Sequence, residues 1–127
     1  MSRLLLVDDE VVLMTALARI LEIAGYEVSP FSSGAAALAA LTAPDASPPD
    51  LIITDVLMEG VDGMQLFTVA RQTPALQEVP FIFVSASVKP ALEQMIAGSP
   101  NAIFMRKPFD IDLLLGEIAH ILEKDQK

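Results

Sequence analysis

The chain has no cysteine among its 127 residues, which excludes a disulfide framework, a thiol nucleophile and a thiolate metal site. It is also short of positive charge: 8 Lys and Arg stand against 17 Asp and Glu, for a formal net charge of -9. Binding a phosphate backbone depends on clustered Lys and Arg, so nucleic acid is unsuited as a direct partner and a basic protein surface suits better. No apolar run is long enough to cross a bilayer. The run Leu4–Val7 is too short for a signal sequence and gives way to three acids. These absences lead to the expectation of a soluble, cytoplasmic protein with no membrane contact. What remains is apolar, with 53 % hydrophobic residues in a length suited to one domain with a real core.

Short strand-like runs alternate with longer helix-like ones, the pattern of a parallel sheet covered by helices on both faces. Strands are expected at Arg3–Val7, Glu27–Phe31, Leu51–Thr54, Phe81–Val84 and Ala102–Met105. Pro30 cannot donate to a ladder, which places the second strand at a sheet edge. The first helix runs from Glu10, with Leu13, Leu17, Ile20, Leu21 and Ala24 at helical spacing and Gly25 past its end. Further helices are expected at Gly34–Leu41, capped by Ser32 or Ser33, at Met64–Thr73, at Pro90–Ala97 and from Asp110 or Ile111 onward. Residues 1–122 then form one domain, with 123–127 as a polar tail or the start of a linker; the start at Met1 suggests an N-terminal position.

Five positions lie just beyond strand-like runs: Asp8 with Asp9, Asp55, Ser85, and Lys107 followed by Pro108. In an open α/β sheet, ligands bind at the carboxyl ends of the strands, so parallel strands would gather these groups on one edge. Three carboxylates at about 4 Å repel by roughly 1 to 4 kcal/mol per pair, depending on the effective dielectric. Such a group calls for a cation, and magnesium is the natural one because it takes a few carboxylate oxygens and leaves other positions to water or phosphate. A second reading makes Asp8 or Asp9 a helix cap, but a cap does not account for Asp55 and Lys107.

The ordered set Val7-Asp8-Asp9-Glu10, Asp55 with Gly60, Asp62 and Gly63, Ser85-Ala86 and Lys107-Pro108-Phe109 resembles the receiver domain of two-component response regulators, over essentially the whole chain. The resemblance implies an α/β fold, a (βα)5 doubly wound sheet of five parallel strands in order 2-1-3-4-5. It implies that Asp55 accepts a phosphoryl group from a phosphohistidine of a histidine kinase or histidine phosphotransfer protein. Magnesium would be held by Asp9, Asp55, the main-chain carbonyl of Leu57 and, partly through water, Asp8. Lys107 would pair with Asp55 and later with the phosphoryl group, with the Lys107–Pro108 peptide cis. Ser85 would then move toward the phosphoryl group and Phe104 would rotate, altering the face made by helix four, strand five and helix five. That face would meet a downstream protein or output domain, or pair two copies as a homodimer. The chain would not be a turnover enzyme, although it would catalyse its own phosphorylation and dephosphorylation.

Some residues depart from the family pattern or stand outside it. Phe104 replaces the tyrosine of many relatives and Glu59 the usual proline. By the resemblance, Leu57 and Ser87 hold positions that in the family tune water access to the acyl phosphate, and bulky Leu57 is expected to prolong its lifetime. His120, the single histidine, is expected on the surface, as is Lys89, and Met14, Met64, Met95 and Met105 as gap-fillers in the core. Gly116 inside the last helix costs about 1 kcal/mol relative to Ala, which suggests close packing or a partner. In that helix Ile111, Leu114, Leu115, Ile118 and Leu122 are expected to face inward, with Leu113 and Ile121 exposed. Two other readings are a degenerate receiver acting only as an interaction module and a flavodoxin-like cofactor domain. The second lacks a Ser/Thr/Gly-rich phosphate loop after the first strand.

Overall fold

The computed structural model describes residues 1–125. Five strands, β1 (Arg3–Val7), β2 (Glu27–Phe31), β3 (Leu51–Asp55), β4 (Phe81–Ser85) and β5 (Ala102–Arg106), alternate with five helices, α1 (Val11–Ile23), α2 (Gly34–Thr42), α3 (Gly63–Gln72), α4 (Pro90–Ala97) and α5 (Ile111–Asp125). A short 3-10 turn at Pro74–Leu76 follows α3. All neighbouring strands run parallel, in the order β2-β1-β3-β4-β5. This is the doubly wound arrangement expected, with β2 and its Pro30 on an edge. Strands β3 and β4 are buried along their whole length, as unbroken apolar runs in a covered parallel sheet should be.

Side chains alternate across the sheet and divide the core in two. Leu5, Val7, Ile52, Phe81 and Phe83 face α2, α3 and α4, where they meet Ala37, Leu66, Phe67 and Leu92. Leu4, Leu6, Leu51, Ile53, Ile82 and Val84 face α1 and α5, where they meet Met14, Ala18, Leu21, Leu114 and Ile118. Phe67 packs edge-on against Phe81 and Phe83 at centroid separations of 4.9 and 5.4 Å.

Several boundaries and faces differ from expectation. Strands β3, β4 and β5 each run one residue further, so Asp55 and Ser85 are the last residues of their strands. Helix α1 is turned relative to the expected stripe: Met14, Ala18 and Leu21 are buried, while Leu13 and Ala24 are exposed. Its sequence is apolar nearly all round, so packing against the sheet and α5 sets the phase. In α5, Leu114, Ile118 and Leu122 are buried and Leu113 is 65 % exposed, but Ile121 packs against the core. A Cβ at Gly116 would meet no atom within 4 Å, which removes close packing as its explanation. Helix α5 continues through residues 123–125 of the expected tail; residues 126–127 lie outside the described residues. His120 and Lys89 are exposed, Met14 is buried, and Met64, Met95 and Met105 are half-buried. Among the described residues, no helix is long and apolar enough to cross a membrane.

Candidate functional site

The carboxyl ends of β1, β3, β4 and β5 form one edge, and each delivers a polar group there. Past β1, Asp8 is held by the fold: its N–H donates to the Phe31 carbonyl at 3.1 Å, and its Oδ1 accepts from the Glu10 N–H at 2.9 Å. The α1 cap position is Glu10, with no side-chain cap bond, so neither Asp8 nor Asp9 caps this helix. Asp8 is buried and Asp9 is exposed.

Asp55 ends the central strand β3, and its backbone is wedged. A Cβ at Gly63 would lie 2.4 Å from the Asp55 carbonyl oxygen, so only glycine lets α3 begin this close. Asp62 sets that start through a reciprocal cap with Gln65: each side chain accepts from the other's backbone N–H at 2.9 Å. The spacing Asp-x-x-Gln is a capping-box signature legible in the sequence. Gly34 is similarly constrained, with its absent Cβ 1.9 Å from the Val61 carbonyl oxygen. Gly60, between Asp55 and α3, has φ +72, a conformation glycine adopts at low cost.

Lys107 follows β5. Its backbone N–H donates to the Ser85 carbonyl at 2.8 Å, and the Lys107–Pro108 peptide is cis. Its Nζ donates to Asp8 Oδ2 at 2.9 Å and to Asp55 Oδ2 at 3.1 Å, with Glu10 Oε1 at 3.8 Å. The lysine therefore bridges two carboxylates, where sequence reading expected a pair with Asp55 alone. Glu10 was the other partner missed; the three consecutive acids after β1 were the available signal. The hydroxyl of Ser85, buried on β4, accepts a long bond from the Ser87 N–H at 3.4 Å.

Burial and charge compete at these groups. Removal from water is the largest influence on the Asp55 carboxyl and raises its pKa; the bond and charge of Lys107 oppose this, Asp8 adds to it, and the Leu57 N–H opposes it. The balance leaves Asp55 above the usual carboxylate range. Burial alone would lower Lys107, but hydrogen bonds and charge from Asp8 and Asp55 outweigh it and hold the ammonium above its ordinary value.

Oxygen atoms of Asp8, Asp9 and Asp55 lie within 4.8 Å of one another. Three carboxylates against one ammonium leave two negative charges in excess. An all-oxygen donor set with that excess, partly open to water through Asp9, fits a hard divalent cation such as magnesium.

The remaining predicted residues surround this cluster. Leu57 is 46 % exposed, and Glu59 and Ser87 are also exposed. Phe104 is half-buried on β5, beside Phe83 and against the α2-α3-α4 side of the core, so it is not brought into the cluster. A groove of about 470 Å³ opens between α1 and the segment Lys107–Ile111, with Asp8 and Glu10 at one end and Leu13, Leu17, Ile20 and Phe109 along it.

Comparison with known proteins agrees with this geometry. The chain is 35 % identical over 122 residues to the C4-dicarboxylate transport transcriptional regulatory protein DctD of Rhizobium meliloti, covering 94 % of this chain but 25 % of that protein. It is 31 % identical to the response regulator receiver protein CpdR of Brucella abortus, over 96 % of this chain and 98 % of CpdR. The solved structure of chemotaxis protein CheY4 of Vibrio cholerae superposes with a TM-score of 0.81 at 25 % identity, over 95 % of this chain and 98 % of CheY4. A family model, the response regulator receiver domain, matches residues 4–119. The strand order and this match, across most of the chain, leave one assignment: the chain belongs to the response regulator receiver domain family.

Proposed function

We propose that this domain is a phosphoacceptor switch in which Asp55 takes a phosphoryl group from a phosphohistidine of a histidine kinase or histidine phosphotransfer protein. The observation that carries this reading is the buried Asp55 at the end of β3, hydrogen-bonded to Lys107 and grouped with Asp8 and Asp9. In the transfer, an Asp55 oxygen attacks in line, the O–P bond forms, the P–N bond breaks and the imidazole leaves. Catalysis of this kind is mostly positioning and charge neutralisation. Asp8, Asp9, Asp55 and the Leu57 carbonyl would hold magnesium, which when bound neutralises charge on the transferred oxygens. Lys107 then turns its ammonium to a phosphoryl oxygen, and the Ser85 hydroxyl donates to another. The added charge of about -1.5 to -2 draws these donors in.

Movement of Ser85 is relayed to Phe104, and through it to the α4-β5-α5 face, which meets a downstream protein, an output domain or a second copy. Phe104 has no hydroxyl, so the relay works through packing. The partner approaches over α1, where Val11, Val12 and Leu13 are exposed beside the groove. Leu57, standing exposed by the acceptor, shields the acyl phosphate from water, with Glu59 and Ser87 on the same approach. The domain turns over no separate substrate; its chemistry is gain and loss of its own phosphoryl group, in the cytoplasm.

The test is incubation with acetyl phosphate, with and without magnesium. The expected result is an acid-stable, base-labile phosphate that requires magnesium and is absent from Asp55→Asn. Equal labelling of Asp55→Asn, or no labelling of the wild type, overturns the reading. Followed as decay, the same assay should show faster loss in Leu57→Asn; unchanged or slower loss rejects the shielding role.

A further inference from the structure

With no cysteine in the chain, its six methionines carry all of its sulfur, and two of them meet at one groove. Met64, in the first turn of α3, and Met95, in the last turn of α4, line an open surface groove of about 490 Å³ together with Asp62, Gln65, Thr68 and Val69. Both methionines are half-buried and pack against the α2-α3-α4 side of the core. Three of the other four wall residues are polar, so the groove is open to water and small polar solutes on one side and closed by core packing on the other. We propose that Met64 and Met95 form a reversible oxidation site, at which a peroxide converts the thioethers to sulfoxides and loosens α4 from the core.

In that step a sulfur lone pair attacks one oxygen of hydrogen peroxide. The S–O bond forms, the O–O bond breaks, and the departing hydroxide takes the proton of the transferred oxygen and leaves as water. Sulfur gives up two electrons and the peroxide gains them. A flexible apolar side chain thereby becomes a polar one, which weakens packing, and sulfoxide reductases restore it. Helix α4 has little hold to spare: of its eight residues only Leu92 is buried, Met95 and Ile96 are half-buried and the rest are exposed. Met95 is thus one of three side chains that fasten this helix. Met14, by contrast, is 8 % exposed and lies under α1 in the other half of the core, a sheltered thioether of the same chain. The chemistry is independent of phosphoryl transfer, yet it reaches α4, part of the face proposed above to carry the signal.

Timed exposure of the full chain to hydrogen peroxide, read by peptide mass spectrometry, tests the site. Met64 and Met95 are expected to convert roughly tenfold faster than Met14, since susceptibility follows exposure. The melting temperature should fall by about 5 °C and return after treatment with the two methionine sulfoxide reductases, one for each epimer. Amide exchange should quicken more over α4 than over α1. The control replaces both residues, Met64→Leu with Met95→Leu, a swap that nearly conserves volume and keeps the other four methionines; its melting temperature should move by about 1 °C or less on the same treatment. Conversion of Met64 and Met95 no faster than that of Met14 overturns the proposal. So do an unmoved melting temperature once both are oxidised, an equal fall in the double variant, and equal quickening in α1. Should circular dichroism show the double variant unfolded, Met95→Leu alone carries the comparison: a smaller fall than in the wild type supports the site and an equal one overturns it.

Discussion

Burial raises the pKa of Asp55 above the usual carboxylate range although Lys107 is hydrogen-bonded to it, so the folded domain holds this proton more tightly than the unfolded chain. Stability contributed by the proton is fully present below the ordinary carboxylate range and is lost as pH rises through the raised folded value. Ionising Asp55 above that value therefore costs stability. Asp55→Asn should melt above the wild type at pH 7 without divalent ions, and the gap should close as pH falls through the raised value. Melts followed by circular dichroism at stepped pH check this; a lower melting point at pH 7 counts against it. Lys107, held above its usual range, keeps its contribution below the ordinary lysine range and loses it as pH rises through its raised value. Its titration stays outside the acid window.

At the level of elements, glycine to alanine has opposite signs at two helix positions. In α5, Gly116 is exposed with open space where a Cβ would go, so Gly116→Ala should stabilise by about 0.5–1 kcal/mol through helix propensity. At the start of α3, Gly63→Ala would push a methyl against the Asp55 carbonyl and should destabilise by about 1–3 kcal/mol, as overpacking does. Urea unfolding of both variants gives the two signs directly, and stabilisation by Gly63→Ala contradicts the wedge. These elements differed in how well sequence displayed them. Strands β3 and β4 were legible because a continuous apolar run fits a strand covered on both faces. The face of α1 was not, since Val11–Met14 is apolar at every position and periodicity then leaves the phase open. The close approaches at Gly34 and Gly63 depend on how elements meet, which spacing along the chain does not express.

For the molecule as a whole, with a net charge of -9, parallel topology brings three of the acids, Asp8, Asp9 and Asp55, together at one edge. The residue types of the site could be read in order along the chain. The double grip of Lys107 on Asp8 and Asp55 could not, because it depends on where a four-carbon side chain comes to rest. A ligand that binds the folded state alone stabilises it by about 2.7 kcal/mol at a concentration 100 times its Kd. Magnesium should accordingly raise the melting temperature of the wild type more than sodium chloride of equal ionic strength. The excess should shrink in Asp9→Asn, whose exposed side chain is absent from the packed core. Equal shifts from the two salts would contradict specific binding.

The sheet also works as a bulkhead. Because one set of side chains turns toward α2, α3 and α4 and the other toward α1 and α5, the domain keeps two separate interiors, and substitutions without shared neighbours tend to sum in their effects. Helices α1 and α5 belong to one interior, and α4 belongs to the other. A mechanical load applied at α1 can travel to α5 without crossing the sheet, whereas news for α4 has to go around the rim.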